Sequence, residues 1–189
     1  MADQNNTANV SVGKGKVGGY CFTAPAGTSL PSDASTALAG AYVNLGYISE
    51  DGLTNSISTD SSEIKDWNGD TILTVISSRT ETFQFTLVET KVDVLKEVFG
   101  ASNVTEAGGK VTVKSNNSAY PIKPYVFEVV LTGNRIERIV LPAGQITELG
   151  DMSYQAGEAI GYEITVTGTP DSSGNTSYRY IETVGGGSQ

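Results

Sequence analysis

The chain has no histidine, one cysteine and one tryptophan among 189 residues. Without histidine it lacks the commonest general base and the commonest metal ligand, and most nucleophile–base pairs go with them. A lone Cys21 excludes an internal disulfide framework and a cysteine-based zinc site. Positive charge is scarce, with 12 Lys and Arg against 21 Asp and Glu, a net charge of −9. Binding to DNA by counterion release needs clustered cations, so this balance predicts repulsion of nucleic acid. No apolar run is long enough to span a bilayer, and residues 1–10 are polar rather than signal-like. The expectations are therefore no membrane, no cofactor, no metal and no catalysis. The protein is expected to be made in a cytoplasm and to stay there or leave within an assembly.

Hydrophobic residues make up 38%, below the globular norm, while Thr, Ser, Asn and Gly are abundant. That composition suits sheets with one wetted face and long polar loops. The length allows one domain with a real core, expected over residues 1–189.

The strongest local signal lies in residues 76–100. Over residues 78–89, Phe83, Phe85 and Leu87 alternate with Ser78, Thr80, Thr82, Gln84 and Thr86. A strand has a side-chain period of two, so this is a half-buried strand with one apolar and one polar face. A helix is predicted over 90–100. Thr90 stands where a cap belongs, Asp93 completes a capping box, and Val92, Leu95, Val98 and Phe99 recur at helical spacing. Gly100 stops it.

Elsewhere, residues 1–19 read as an arm and 185–189 as a flexible tail. A first strand is expected at Tyr20, Cys21 and Phe22, an irregular segment over 24–40 and a weak strand over 41–48. Residues 110–114 alternate briefly. Residues 125–131 and 135–141 flank Gly133-Asn134 as a hairpin. A three-residue loop, Thr132 to Asn134, sets Glu128 opposite Arg138 and Phe127 opposite Ile139; both pairs stabilise a sheet, and Asn134 tolerates a left-handed conformation. Strands follow over 161–167 and 178–183. Seven or eight strands and one helix favour an antiparallel β-sandwich or barrel with one flanking α-helix.

Residues 49–70 read as a long loop. They hold Glu50, Asp51, Asp60, Glu63, Asp66 and Asp70 against one cation, Lys65, with sparse apolar residues Leu53, Ile57, Ile64 and Trp67. A structureless loop of this length is usually functional or disordered. Its functional form is a segment that orders on a neighbouring subunit, anchored by Leu53, Ile57, Ile64 and Trp67.

Motifs for chemistry fail on context. Gly13-Lys-Gly15-Lys-Val-Gly18 matches a dinucleotide fingerprint as a string, but no strand precedes it. Asp66-Trp-Asn68-Gly-Asp70 opens like a calcium loop, but Thr71 stands where glycine is needed and Ser77 where glutamate is needed. A turn capped by side chains fits it better. Glu81 and Glu89 are expected as solvated strand ends, and Cys21 as a small residue in a strand.

The order and spacing of Gly46-Tyr-Ile-Ser-Glu-Asp-Gly-Leu53, then Glu63 to Asp70, then Ser77-Ser-Arg-Thr-Glu-Thr-Phe83 through Gly100 resemble the major tail protein, or tail tube protein, of long-tailed phages with non-contractile tails, nearest to those of actinobacterial hosts. The resemblance implies a β-sandwich with a flanking helix, a mobile loop and terminal arms. It also implies hexameric rings stacked into a hollow tube in the virion tail, polymerised along a tape-measure protein in the host cytoplasm. Partners implied with it are further copies of the chain, tail terminator and distal tail proteins. The resemblance further implies that DNA passes through without specific binding. Within that picture Ser78, Thr80, Thr82, Gln84 and Thr86 are expected to line the lumen, because their small neutral groups offer no cation to hold phosphate. Residues 52–70 are expected to contact the adjacent ring, with Trp67 near the base of the contact. Two other readings compete: a β-sandwich adhesion or decoration module, which the composition fits equally, and an acidic enzyme, which the missing histidine disfavours.

Overall fold

The computed structural model describes residues 5–184. Residues 1–4 of the expected arm and the expected tail over 185–189 lie outside the described residues. The strands are β1 (Gly13–Gly15), β2 (Cys21–Thr23), β3 (Val43–Asn44), β4 (Ile48–Lys65), β5 (Thr71–Leu87), β6 (Val104–Ala107), β7 (Lys110–Val113), β8 (Lys123–Leu131), β9 (Arg135–Leu149), β10 (Tyr162–Gly168) and β11 (Tyr178–Thr183), with one helix, α1 (Val92–Phe99). Nine strands share one antiparallel sheet in the order β3-β2-β8-β9-β10-β5-β4, with β1 added to β8 and β11 to β9; β6 and β7 pair separately. The fold is thus mainly β and sandwich-like with one helix, as expected.

The two layers arise because β9 changes partners along its length. Its first half pairs with β11 from Arg135 to Val140, and its second half pairs with β10 from Gly144 to Leu149. The switch falls at Gly144, where an added Cβ would sit 2.7 Å from the Tyr125 ring and 2.8 Å from Val166. Only glycine lets the backbone pass this close. The layers then meet through aromatic rings: Phe127 of β8 stacks on Phe83 at 5.9 Å and meets Phe85 edge-on at 5.1 Å. Offset and edge-on pairs of this kind add to the area they bury. Ile139, Leu141, Tyr162, Ile164 and Val166 close the same core, and α1 packs Val94, Leu95 and Val98 onto it. Cys21 is fully buried there, and burial pushes its thiol well up.

The hairpin β8–β9 has the expected register, Glu128 opposite Arg138 and Phe127 opposite Ile139, and Asn134 is left-handed at φ 57°. The inward set of β5, Phe83, Phe85 and Leu87, is buried as its alternation requires. Gly100, with φ 91°, ends the helix.

Other expectations are corrected. Residues 49–70 are not a loop: they form most of β4 and a tight turn, with an unpaired bulge over 49–52 and residues 53–65 paired to β5. Ser, Thr and acidic residues on both faces hide the period of two, yet all of them fit an extended backbone once β5 fixes the register. Thr90 does not cap α1. The helix starts after Lys91 with no side-chain cap, and the Thr90 hydroxyl lies 3.0 Å from the Tyr162 hydroxyl instead. The arm is partly docked, because Gly13–Gly15 pairs with Val129–Leu131 and Lys16 bonds Glu128 at 2.6 Å. The weak strand expected over 41–48 shrinks to Val43–Asn44, while β6 and the second half of β9 were not expected at all.

The irregular segment over 24–40 is held by one buried side chain. Arg138 is 1% exposed. Its guanidinium pairs with the Glu128 carboxylate and donates to the carbonyls of Asp33 at 2.9 Å and Thr36 at 2.8 Å. Breaking a buried pair by removing one partner strands the other charge. Arg138→Ala is therefore expected to cost about 3–5 kcal/mol in denaturant melts, whereas Lys16→Ala, which removes the exposed partner of the same carboxylate, should cost under about 1 kcal/mol. Equal small losses would contradict this.

Candidate assembly surface

The polar face of β5 belongs to a wider one. Across β4, Thr54 pairs with Gln84, Ser56 with Thr82, Ser58 with Thr80 and Asp60 with Ser78. Across β10, Glu163 pairs with Thr86, Thr165 with Gln84 and Thr167 with Thr82. On β9, Glu148 pairs with Thr165, and the Thr147 hydroxyl meets that of Thr167 at 2.8 Å. These side chains bond one another sideways: Ser78 donates to Asp60 at 2.7 Å and Gln84 to Glu163 at 2.8 Å. No lysine or arginine stands among the residues named on this face, and its charges are all acidic. Arg79, the cation nearest in sequence, turns to the opposite face and donates to Thr176 at 3.1 Å. Ser78, Thr80, Thr82, Gln84 and Thr86 thus share one face of β5; Thr82, Gln84 and Thr86 lie on the multistranded surface, most of which the sequence did not reveal, and Ser78 and Thr80 lie on its two-stranded extension with β4.

Beyond Ile57 and Glu81 the other strands stop, since β10 ends at Gly168 opposite Glu81. From there β4 and β5 run on as a free-standing two-stranded ribbon in which residues 58–65 and 71–80 are all exposed. A register shift between Asp60 and Ser61 places Ser78 opposite Asp60 but Ile76 opposite Ser61. Ser77 is the extra residue, and such a bulge switches the faces of β5. The face that carried Ser78 and Asp60 therefore continues as Val75 and Leu73 beside Ser62 and Ile64. Exposed Ile64, Leu73 and Val75 form an apolar patch at its far end. Sequence alternation missed Leu73 and Val75, because the bulge reverses the parity.

The turn at the tip matches expectation. The Asp66 carboxylate accepts the backbone N–H of Asn68 at 2.9 Å and of Asp70 at 2.8 Å. Trp67 there is wholly exposed. The four expected contact residues are not brought together. Leu53 is half-buried against the core at the root, Ile57 stands where the ribbon departs, and Ile64 and Trp67 lie far out along it.

At the root sits Glu81, 2% exposed rather than a solvated strand end. Its carboxylate accepts from the hydroxyls of Thr176 and Ser177 and from the Asn55 amide, with Arg79 at 3.6 Å. Burial alone would raise this carboxyl, but those donors and the Arg79 charge outweigh it and hold it below the usual carboxylate range. The cluster ties both ribbon strands to the loop before β11. Glu89, the other expected strand end, is also engaged: it accepts the Tyr47 N–H at 2.9 Å and pairs with Lys91 at 3.0 Å.

A family model described as phage tail tube protein matches residues 3–183. Among solved structures, the chain is similar to the tube-terminating cap of the anti-feeding prophage, at 14% identity over 87% of this chain and 89% of that one, with a TM-score of 0.43. That likeness is too low to carry an argument. No curated protein matches the sequence.

The Glu81 cluster sets a pH dependence. Because its folded value is depressed, its stabilisation is complete above the unfolded value, about 4.3, and is lost as pH falls through the folded value. Glu81→Gln is expected to cost about 1–3 kcal/mol at pH 7, the scale for leaving buried donors poorly paired. The gap between wild type and variant should close between about pH 5 and pH 2 in thermal melts. A gap independent of pH would show that the charge is not what holds the root.

Proposed function

The chain belongs to the phage tail tube protein family, and from that premise we propose that it is the subunit of a hollow tube of stacked hexameric rings in a long non-contractile tail, through which DNA slides without being held. As a family member it is a structural component of the phage tail. The finer picture is our proposal: assembly in the host cytoplasm along a tape-measure protein, closure by terminator and distal tail proteins, and a phage of an actinobacterial host.

One observation carries this reading. A cation-free face of hydroxyls, amides and carboxylates spans β4, β5, β10 and β9. DNA adheres to proteins chiefly through phosphate contacts with Lys and Arg. A wall with none, and with a few acids, repels phosphate and leaves a moving duplex nothing to grip. We assign this face to the lumen. The ribbon supplies a second element: nothing among the described residues covers its far end, and we assign that end to contact with an adjacent ring. A contact between two different surfaces of identical subunits closes into rings or propagates as a filament, and exposed edges such as β4 become joints when a neighbour pairs with them.

Electron microscopy of the purified chain, or of virions, should show stacked rings; discrete particles would favour an adhesion or decoration role. In virions carrying Thr80→Lys with Thr82→Lys, tubes of unchanged width are expected. DNA release should slow severalfold at low salt and recover at high salt, the signature of phosphate contact. Unchanged release from intact tubes would remove this face from the lumen.

A further inference from the structure

Asn68-Gly69 is the one Asn-Gly pair in the sequence. It stands on the turn between β4 and β5, and both residues are exposed. Gly69 lies in the left-handed region at φ 91°, with nothing within 4 Å of the position a Cβ would take. When glycine follows asparagine, no β-carbon hinders the approach of its backbone nitrogen to the side-chain amide carbon. Closing that gap makes a five-membered ring.

Other asparagine amides are held. Asn55 donates to the Glu81 carboxylate at 3.2 Å, Asn44 to the Gly18 carbonyl at 3.1 Å and Asn175 to the Tyr178 hydroxyl at 2.9 Å, while Asn103 and Asn116 bond each other at 2.9 Å. Each of these is followed by a residue with a β-carbon. The Asn68 amide has no hydrogen bond among the described residues; its backbone N–H donates to the Asp66 carboxylate at 2.9 Å. The attacking group must also come free. The Gly69 N–H donates to the Asp66 carbonyl at 3.1 Å, the longest hydrogen bond of the turn. This turn closes a ribbon whose residues 58–65 and 71–80 are all exposed. A strand pair with no layer behind it opens locally at little cost.

We propose that Asn68 is a site of spontaneous main-chain rearrangement. The Gly69 nitrogen gives up its proton and attacks the Asn68 side-chain carbonyl carbon. The N–Cγ bond forms, the Cγ–Nδ2 bond breaks, and the amide nitrogen leaves with that proton as ammonia, which closes a succinimide. Water then opens either carbonyl of the ring. One opening gives an aspartyl residue at position 68; the other gives an isoaspartyl residue, whose main chain runs through the side-chain carbon. No oxidant, reductant or enzyme enters. Both products add a carboxylate beside Asp66 and Asp70. The isoaspartyl form also lengthens the main chain by one carbon inside the turn, between the two N–H groups, of Asn68 and Asp70, that the Asp66 carboxylate holds. Aged free subunits thus differ from new ones in the charge and geometry of the tip. The reaction needs no second copy of the chain, so it stands apart from the tube reading.

The test incubates freshly purified, full-length free subunits in neutral and in mildly alkaline buffer, then maps their peptides by mass spectrometry. The peptide holding residues 66–70 should gain the mass difference between OH and NH2 and split into two chromatographic species. It should do so several-fold faster than any other asparagine peptide, and faster at the higher pH, because the attacking nitrogen must lose its proton. An isoaspartate methyltransferase, used as a reagent, should methylate that peptide from aged wild type and not from aged Asn68→Gln; the mass gain itself needs no variant to fold. Conversion no faster than at the other asparagines overturns the proposal. Conversion confined to chains unfolded in urea overturns it too, since the folded turn then protects Asn68. A mass gain without methyl acceptance shows direct hydrolysis and overturns the succinimide route.

Discussion

A two-stranded ribbon has two faces and no layer of its own to bury either against. Such a pair is marginal in water at best. Here the ribbon extends β4 and β5 well past the last strand of the body and carries Ile64, Leu73, Val75, Ile76 and Trp67 in solvent. Exposed apolar side chains gathered on an extended arm are the kind of surface that marks interaction sites, which is why we propose a neighbour for it. The arm keeps its aim because its root is fixed. Glu81, buried among Thr176, Ser177, Asn55 and Arg79, joins both ribbon strands to the sheet. The distal half stays available, and the proximal half stays part of a rigid body.

That body separates the surfaces it presents. The switch of β9 at Gly144 makes two layers, and the rings of Phe83, Phe85 and Phe127 lock them together. Inward positions of β5 and β10 are then committed to the core, and outward positions are free to be small and polar. The alternation that lets one strand be core and polar surface at once comes from backbone geometry alone. Arg138 pins the long segment over 24–40 and so finishes the body without using the ribbon or the polar face of β5.

Much of this is legible in the sequence wherever one face is apolar and the other is not. Phe83, Phe85 and Leu87 identified β5, and β10 lies within one residue of the strand expected over 161–167. Opposite charges on Glu128 and Arg138 fixed the hairpin register, because mispairing them would bury them badly. The ribbon was not legible as a strand. Its residues are polar on both faces near the root, and the Ser77 bulge breaks the period just where the apolar residues begin. Glu81 looked like a strand end because the donors that surround it, Thr176 and Ser177, lie about 95 positions away. Thr90 has the right type and spacing for a cap, but the Tyr162 hydroxyl engages it first. Each miss is a tertiary partner overriding a local preference.

We propose that other copies of the chain complete the ribbon. Amide hydrogen exchange over residues 58–65 and 71–80, compared between free subunits and assembled tubes, tests it directly. The account predicts fast exchange in the free subunit, strong protection in the tube, and protection of Phe83, Phe85 and Leu87 in both. Equal exchange along the ribbon in the two states would contradict it.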